Sequence, residues 1–190
     1  MQKKLKIAAY AGIVYLVSFL PEITLEALHD YYFMGGATKI LLIGSYIIAI
    51  LSTVVFFYGF IIIGNKYDDH LLVAGSYIII LTTIAYYFYS WQTMDLYAME
   101  DDIFSTVVLL FYGFSGILFG IGLYRMRDPL GSLASIAGII EIIIGICFVT
   151  IIPFLLGLVL SIPAIIIEIL LLFNAVELGP FKEEENTIPG

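Results

Sequence analysis

Two carboxylates sit where a chain has least reason to put them. Glu141 and Glu168 interrupt the most apolar stretch of the sequence, residues 130–176, which is otherwise mostly aliphatic and small residues with Pro153 and Pro163 as its hard punctuation. A charge at the centre of a bilayer costs roughly 2.5–3.5 kcal/mol even on the lenient insertion scale, so an ionisable residue there is first of all a functional candidate. No Lys or Arg occurs between Arg127 and Lys182, so neither glutamate has a cationic partner within its own stretch. Such a pair must be neutral, share a proton, or bind a cation. That chemistry suits a small transporter or an ion- or proton-linked binding protein. The bland counterpart is a structural or interaction membrane protein. There each protonated glutamate would hydrogen-bond Ser, Tyr or a freed carbonyl and serve only helix packing.

The elements that position the two carboxylates follow from length. A single helix over residues 130–176 would run about 70 Å, more than twice a bilayer core of about 30 Å. The stretch must fold back, and Pro153, Phe154 and Gly157 mark where. Each glutamate then lies about eleven residues from the fold, roughly 16 Å along a helix and near the bilayer midplane. Around Glu141, the offsets of three, four and seven carry Ala134, Ala137, Gly138 and Gly145; around Glu168 they carry Ser161, Ala164 and Ala175. Small stripes face protein rather than lipid, so both side chains are expected to point into a bundle. Pro163 cannot donate to the Val159 carbonyl and so frees an acceptor within two turns of Glu168. The candidate intramembrane site is therefore Glu141, Glu168, Pro163 and Ser161.

Composition sets the frame for this hairpin. Of 190 residues, 62% are hydrophobic and only 13% charged, about half the charged fraction of a soluble domain. The fold class expected is all-α, a polytopic membrane protein, with residues 1–178 as one transmembrane domain and 179–190 as a disordered cytoplasmic tail. Six apolar segments, 6–23, 39–64, 71–91, 103–124, 132–152 and 154–176, each approach the ~20 residues that a spanning helix needs. Lys3, Lys4, Lys6, Lys66, Arg125, Arg127 and Lys182 fall on one side of such a six-helix bundle, and only Lys39 on the other. That bias places both termini in the cytoplasm and the protein in the cell membrane, with lipid as its first partner. Trp91 and the cluster Tyr86, Tyr87, Phe88 and Tyr89 would form an aromatic belt at the outer end of the third span. A net charge of −8 without basic runs beyond the N-terminus excludes nucleic acid as a partner. Residues 1–20 resemble a signal peptide in their basic start and apolar run, but no small-x-small cleavage pattern follows, so they read as a retained first span.

Other chemistry is thin. Glu22, Glu26, His29 and Asp30 form an acidic cluster after the first span, a candidate for a loose outer cation site together with Asp95, Glu100, Asp101 and Asp102. The Glu26–His29 spacing matches half of a di-iron motif, but the only other histidine, His70, falls on the opposite side. No metal centre or cofactor follows. Phosphate-binding loops, zinc-protease helices and serine-hydrolase elbows are all missing from the sequence, which leaves enzymatic activity unsupported. Cys147 stands alone as a small core residue. Small pairs at helix-packing spacing, Ala8/Gly12, Ser45/Ala49, Gly116/Gly120 and Ala134/Gly138, predict close contacts within one bundle, or alternatively a homo-oligomer. Leucine at Gly116 or Gly138 is expected to disrupt the bundle. Leucine at Ile143, off the Glu141 stripe, is not. Two echoes, residues 44–48 in 75–79 and 57–60 in 111–114, would suit a worn duplication, but chance explains them better in so repetitive a composition.

Three stretches carry a resemblance to a known family. They are Ala9-Tyr10-Ala11-Gly12-Ile13-Val14-Tyr15-Leu16; then Leu123-Tyr124-Arg125-Met126-Arg127 with Ser135-Ile136-Ala137-Gly138; and Leu160-Ser161-Ile162-Pro163-Ala164-Ile165-Ile166-Ile167-Glu168. In this order they resemble the small six-span bacterial membrane proteins catalogued as domain of unknown function 4386. The resemblance implies six spans and points at Pro163 and Glu168, implies no activity, and offers no counterpart to Glu141.

Overall fold

The computed structural model describes the backbone of residues 1–32, 36–93, 103–151 and 154–178, and all regular structure among them is helical. The elements are α1 (Gln2–Tyr32), α2 (Gly36–Lys66), α3 (His70–Thr93), α4 (Ile103–Arg125), the single turn α5 (Arg127–Leu130), α6 (Ser132–Thr150) and α7 (Phe154–Glu177). Five of them, α2, α3, α4, α6 and α7, are long and apolar enough to cross a membrane. The remaining expected span, residues 6–23, lies within α1, where the side chains of residues 19, 20, 22 and 23 are outside the described residues. Helix is the form lipid demands, because it satisfies every backbone N–H and C=O inside its own segment. The helices are also apolar on both sides. Leu41, Leu51, Val159 and Leu155 are more than 60% exposed, while Phe56, Phe60 and Phe119 are fully buried. A soluble helix would present charge on its outer face.

Each long helix packs against the next in chain order, α4 against α6 across the short α5, and α7 returns to α1 to close a ring. The ring brings the start of α1 to the end of α7, since Gln2 Nε2 donates to the Val176 carbonyl at 3.1 Å. Arg125, at the end of α4, reaches Asp69, just before α3, at 3.3 Å and at that same end of the bundle. We call this the terminal end. The interior towards it is filled by an aromatic cluster, in which Phe56, Phe57, Phe60 and Phe119 meet largely edge to face at 5.1 to 6.1 Å. A smaller cluster of Leu42, Tyr46, Ala49 and Tyr87 joins α2 and α3 towards the opposite end.

The tightest seam joins α4 and α6, and it is made of glycine. A Cβ on Gly120 would stand 2.7 Å from the Gly138 carbonyl oxygen, and one on Gly138 2.5 Å from the Gly120 carbonyl oxygen. Two turns along, Gly113 and Gly145 stand in the same reciprocal relation, at 2.8 and 2.6 Å. The α3–α4 contact works likewise, through Gly75 against Phe119 and Gly122 against Leu72. The small stripes thus bring backbones together inside one bundle, including Gly12, which packs against Phe56 and Ile169.

Two sequence expectations change here, and the internal echoes prove unlike in setting, as chance would have it. Gly157 does not mark the reversal; it lies inside α7 and packs on Phe148 and Cys147, as a close-contact glycine would. The described side of the reversal is Ile151, which ends α6 at φ 61°, a left-handed value that a β-branched residue rarely holds. The aromatic cluster at the end of α3 is not a uniform belt. Phe88 and Trp91 are more than half exposed, whereas Tyr87 is buried against Tyr46 at 5.0 Å. The internal echoes occupy unlike environments: Gly44 faces open space where Gly75 abuts Phe119, and Phe60 is fully buried where its counterpart Phe114 is 58% exposed. The expected tail, 179–190, lies outside the described residues.

Candidate functional site

Glu141 owes its position to the glycine seam. Gly138 and Gly145 flank it by about one turn on either side, and both lock α6 onto the α4 backbone. Between these two contacts α4 offers Gly116, whose missing side chain leaves room for the carboxyl group. A Cβ there would sit 3.6 Å from Glu141 Oε2, an ordinary contact rather than a clash. Ala134 and Ala137 on the same stripe are fully buried, while Ile143 is 42% exposed on the outer face.

Glu168 is placed by α7. Its stripe carries Ala164, Leu171, Leu172 and Ala175, all at 0% exposure, and Glu168 itself is 1% exposed. The α6–α7 hairpin is set by Gly157 against Cys147 and Phe148, a register that puts Glu168 about one turn closer to the terminal end than Glu141. Side chains lean towards the N-terminus of their own helix. In an antiparallel pair this carries Glu141 towards the terminal end and Glu168 away from it, so the lean closes the offset. The two side chains lie within hydrogen-bonding reach of each other.

Two ionised carboxylates have no donor between them, so a hydrogen bond across this contact needs a proton on one of them. No described salt bridge reaches either glutamate, and Glu168 Oε1 has no hydrogen-bond partner among the described residues. The arrangement can hold a proton between two oxygens and still offer a third oxygen to a further ligand. Among the described residues no group of three or more His, Cys, Asp or Glu could hold a metal ion.

The remaining candidates fall elsewhere. Ser161 Oγ donates to the Gly157 carbonyl of its own helix at 2.9 Å. Pro163 is exposed, as is Val159, whose carbonyl a proline at that position cannot bond, so this acceptor belongs to the outer face of α7 and not to the glutamates. Glu22, Glu26, His29 and Asp30 lie on α1, and their side chains are outside the described residues, as are Asp95, Glu100, Asp101 and Asp102.

Three features escaped the sequence reading. Asp69, only 2% exposed, accepts the Leu72 N–H at 2.9 Å to cap α3 and meets Arg125 at 3.3 Å. The signal was the capping position of Asp69 before an apolar run. Tyr112 Oη and Thr83 Oγ1 join α4 to α3 at 2.6 Å. Thr53 Oγ1 is buried with no partner among the described residues. Its one sequence signal is a hydroxyl at the spacing of Phe57 and Phe60. No family model matches this chain, and no curated protein or solved structure matches it.

Proposed function

We propose that the chain is a six-span protein of the cell membrane, with both termini cytoplasmic, in which Glu141 and Glu168 bind and release a proton. In this reading it is a small proton-linked transporter or binding protein. One observation carries it: a fully buried glutamate meets a second carboxyl group deep among apolar helices, with no salt bridge to either among the described residues. The seven-to-one distribution of Lys and Arg supports the orientation. The resemblance of three stretches to the domain of unknown function 4386 family fits the same six spans. Purified protein in liposomes loaded with a pH-sensitive dye tests the reading. An imposed pH gradient should collapse faster than in empty liposomes, and Glu168→Gln should abolish the difference while keeping the fold. Equal rates for wild type and Glu168→Gln would refute it.

A second reading has its own support. The glycine seam clamps Glu141 between two backbone contacts, as a packing device would require. If wild-type liposomes leak no faster than empty ones, and Glu141→Leu with Glu168→Leu keeps or raises stability, the pair serves helix packing.

A further inference from the structure

Within the spans, Glu168 Oε1 has a counterpart. Thr53 on α2 is 1% exposed, and its Oγ1 has no hydrogen-bond partner among the described residues. A helical Thr usually bonds the carbonyl three or four residues back. Thr53 makes no such bond, whereas its neighbour Ser52 does, to the Ile48 and Ala49 carbonyls at 2.7 and 3.0 Å. A buried, unpaired oxygen calls for an explanation, and a bound water is the simplest.

Depth and direction set the two residues at nearly one level of the bundle interior. Helices α2 and α7 run the same way along the bundle. A Cβ on Gly59 would meet Leu172 at 3.1 Å, and one on Gly12 would touch both Phe56 and Ile169. Both contacts give one register, and it sets Glu168 level with Val55. Thr53 is two residues further from the terminal end, about 3 Å along the axis. Glu168 stands one turn from Leu172, the residue that reaches Gly59. Thr53 precedes Phe56, Phe57 and Phe60 by three, four and seven residues, so it shares their interior stripe. Phe57 and Phe60 meet Phe119 across that interior at 5.3 and 5.1 Å. The aromatic cluster therefore closes the bundle on the terminal side of Glu168, and Thr53 lies on the other side.

We infer that Thr53 Oγ1 and Glu168 Oε1 face one another across the bundle interior and are bridged by one bound water, which makes Thr53 a third residue of the carboxyl site. Two polar partners suffice to hold a buried water. The inference deepens the proposed proton site and rests on that reading for its purpose: the water is the next carrier for a proton leaving the pair, on the side away from the termini. Thr53 acts through this water and is a positioning residue.

Infrared spectroscopy of hydrated films, recorded in H2O and in H2 18O, reads bound water directly as isotope-sensitive O–H stretching bands. Wild type should show a narrow band that Thr53→Val removes and Thr53→Ser keeps. In Glu168→Gln the band should shift without vanishing, because the amide oxygen still accepts. A Thr53→Val spectrum identical to wild type overturns the inference. If Thr53→Val does not fold, Glu168→Gln decides alone, and an unshifted band overturns the inference. No proton flux enters this measurement, so a bridging water found in a protein that moves no protons would refute the transport reading and leave this one standing.

Discussion

Gly138→Ala and Gly116→Ala, two identical changes on the α4–α6 seam, should act in opposite directions. At Gly138 the added Cβ lands 2.5 Å from the Gly120 carbonyl oxygen and 2.6 Å from the Tyr124 nitrogen. Both obstacles are backbone, so neither can rotate away. The helices must part by about 0.9 Å to restore an ordinary 3.4 Å contact. Overpacking of this kind costs about 1–3 kcal/mol. Helix propensity returns about 1 kcal/mol for Gly to Ala, so the net loss should be up to about 2 kcal/mol. At Gly116 the nearest atoms stand at 3.6 and 3.7 Å, so the propensity gain survives and the variant should be neutral or more stable by up to about 1 kcal/mol. The propensity gain is common to both variants, and for a chain of this length 1 kcal/mol moves Tm by roughly 2–4 °C, so the two should melt about 2–12 °C apart. Circular dichroism melts in one mild detergent measure this. Equal Tm values, or Gly138→Ala as the more stable, would show that the seam is not the close contact described.

The other predictions probe the ends and the interior. Asp69→Ala removes both the α3 cap and the partner of Arg125 and should destabilise by about 1–3 kcal/mol, more than Arg125→Ala, whose guanidinium is half exposed; denaturation of the two variants in detergent compares them. Ile151→Gly should relieve the left-handed strain and stabilise by about 1 kcal/mol, and an unchanged melt would argue that Ile151 is unstrained in solution. Cysteines replacing Asp101 and Glu184 should react with an impermeant thiol reagent from opposite faces of the membrane, and labelling from one face would refute the proposed topology. Phe119→Ala should cost about 3–5 kcal/mol by opening the aromatic cluster, whereas Phe114→Ala, on the exposed face, should cost far less in the same assay.

Much of the architecture was legible because lipid leaves few choices. The segment limits 103–124, 132–152 and 154–176 agree with α4, α6 and α7 to within about two residues, since apolar length and charged turns define a span almost completely. The inward face of Glu141 could be read too, because small residues recur around it at helical spacing. What failed were statements about direction within a helix. Pro163 precedes Glu168 by five residues, which at 3.6 residues per turn places it on a different face. Proximity in sequence suggested a shared site there, and the helical period denies it. Gly157 looked like a turn residue because glycine serves both turns and close helix contacts, and only the approach of Phe148 tells them apart. Thr53 was invisible for a different reason. Its neighbour across the interior lies more than a hundred residues away, and a ring closure of α7 onto α1 and α2 is not written in any local pattern.

The glycine seam and the carboxyl pair form one device. A glutamate in the middle of a membrane helix tends to pull its helix towards water or the interface, since long charged side chains snorkel when they can. Glu141 cannot do so while Gly138 and Gly145 hold α6 to the α4 backbone on both sides of it. The seam thereby fixes its depth, and Gly116 supplies the space that its carboxyl group occupies. Glu168 has no such clamp; its depth comes from Leu171, Leu172 and Ala175, which bury the α7 stripe on the terminal side of it. The consequence is asymmetric. Loosening the seam, as in Gly138→Ala, should move Glu141 and break the contact from one side, leaving Glu168 buried and unpaired. Weakening the α7 stripe, as in Leu172→Ala, should loosen α7 while the intact seam keeps Glu141 in its glycine-lined space. If the pair is the working site, Gly138→Ala should lose proton flux out of proportion to its stability, and Leu172→Ala should lose the two together. Flux that simply tracks Tm in both variants would sink this division of labour.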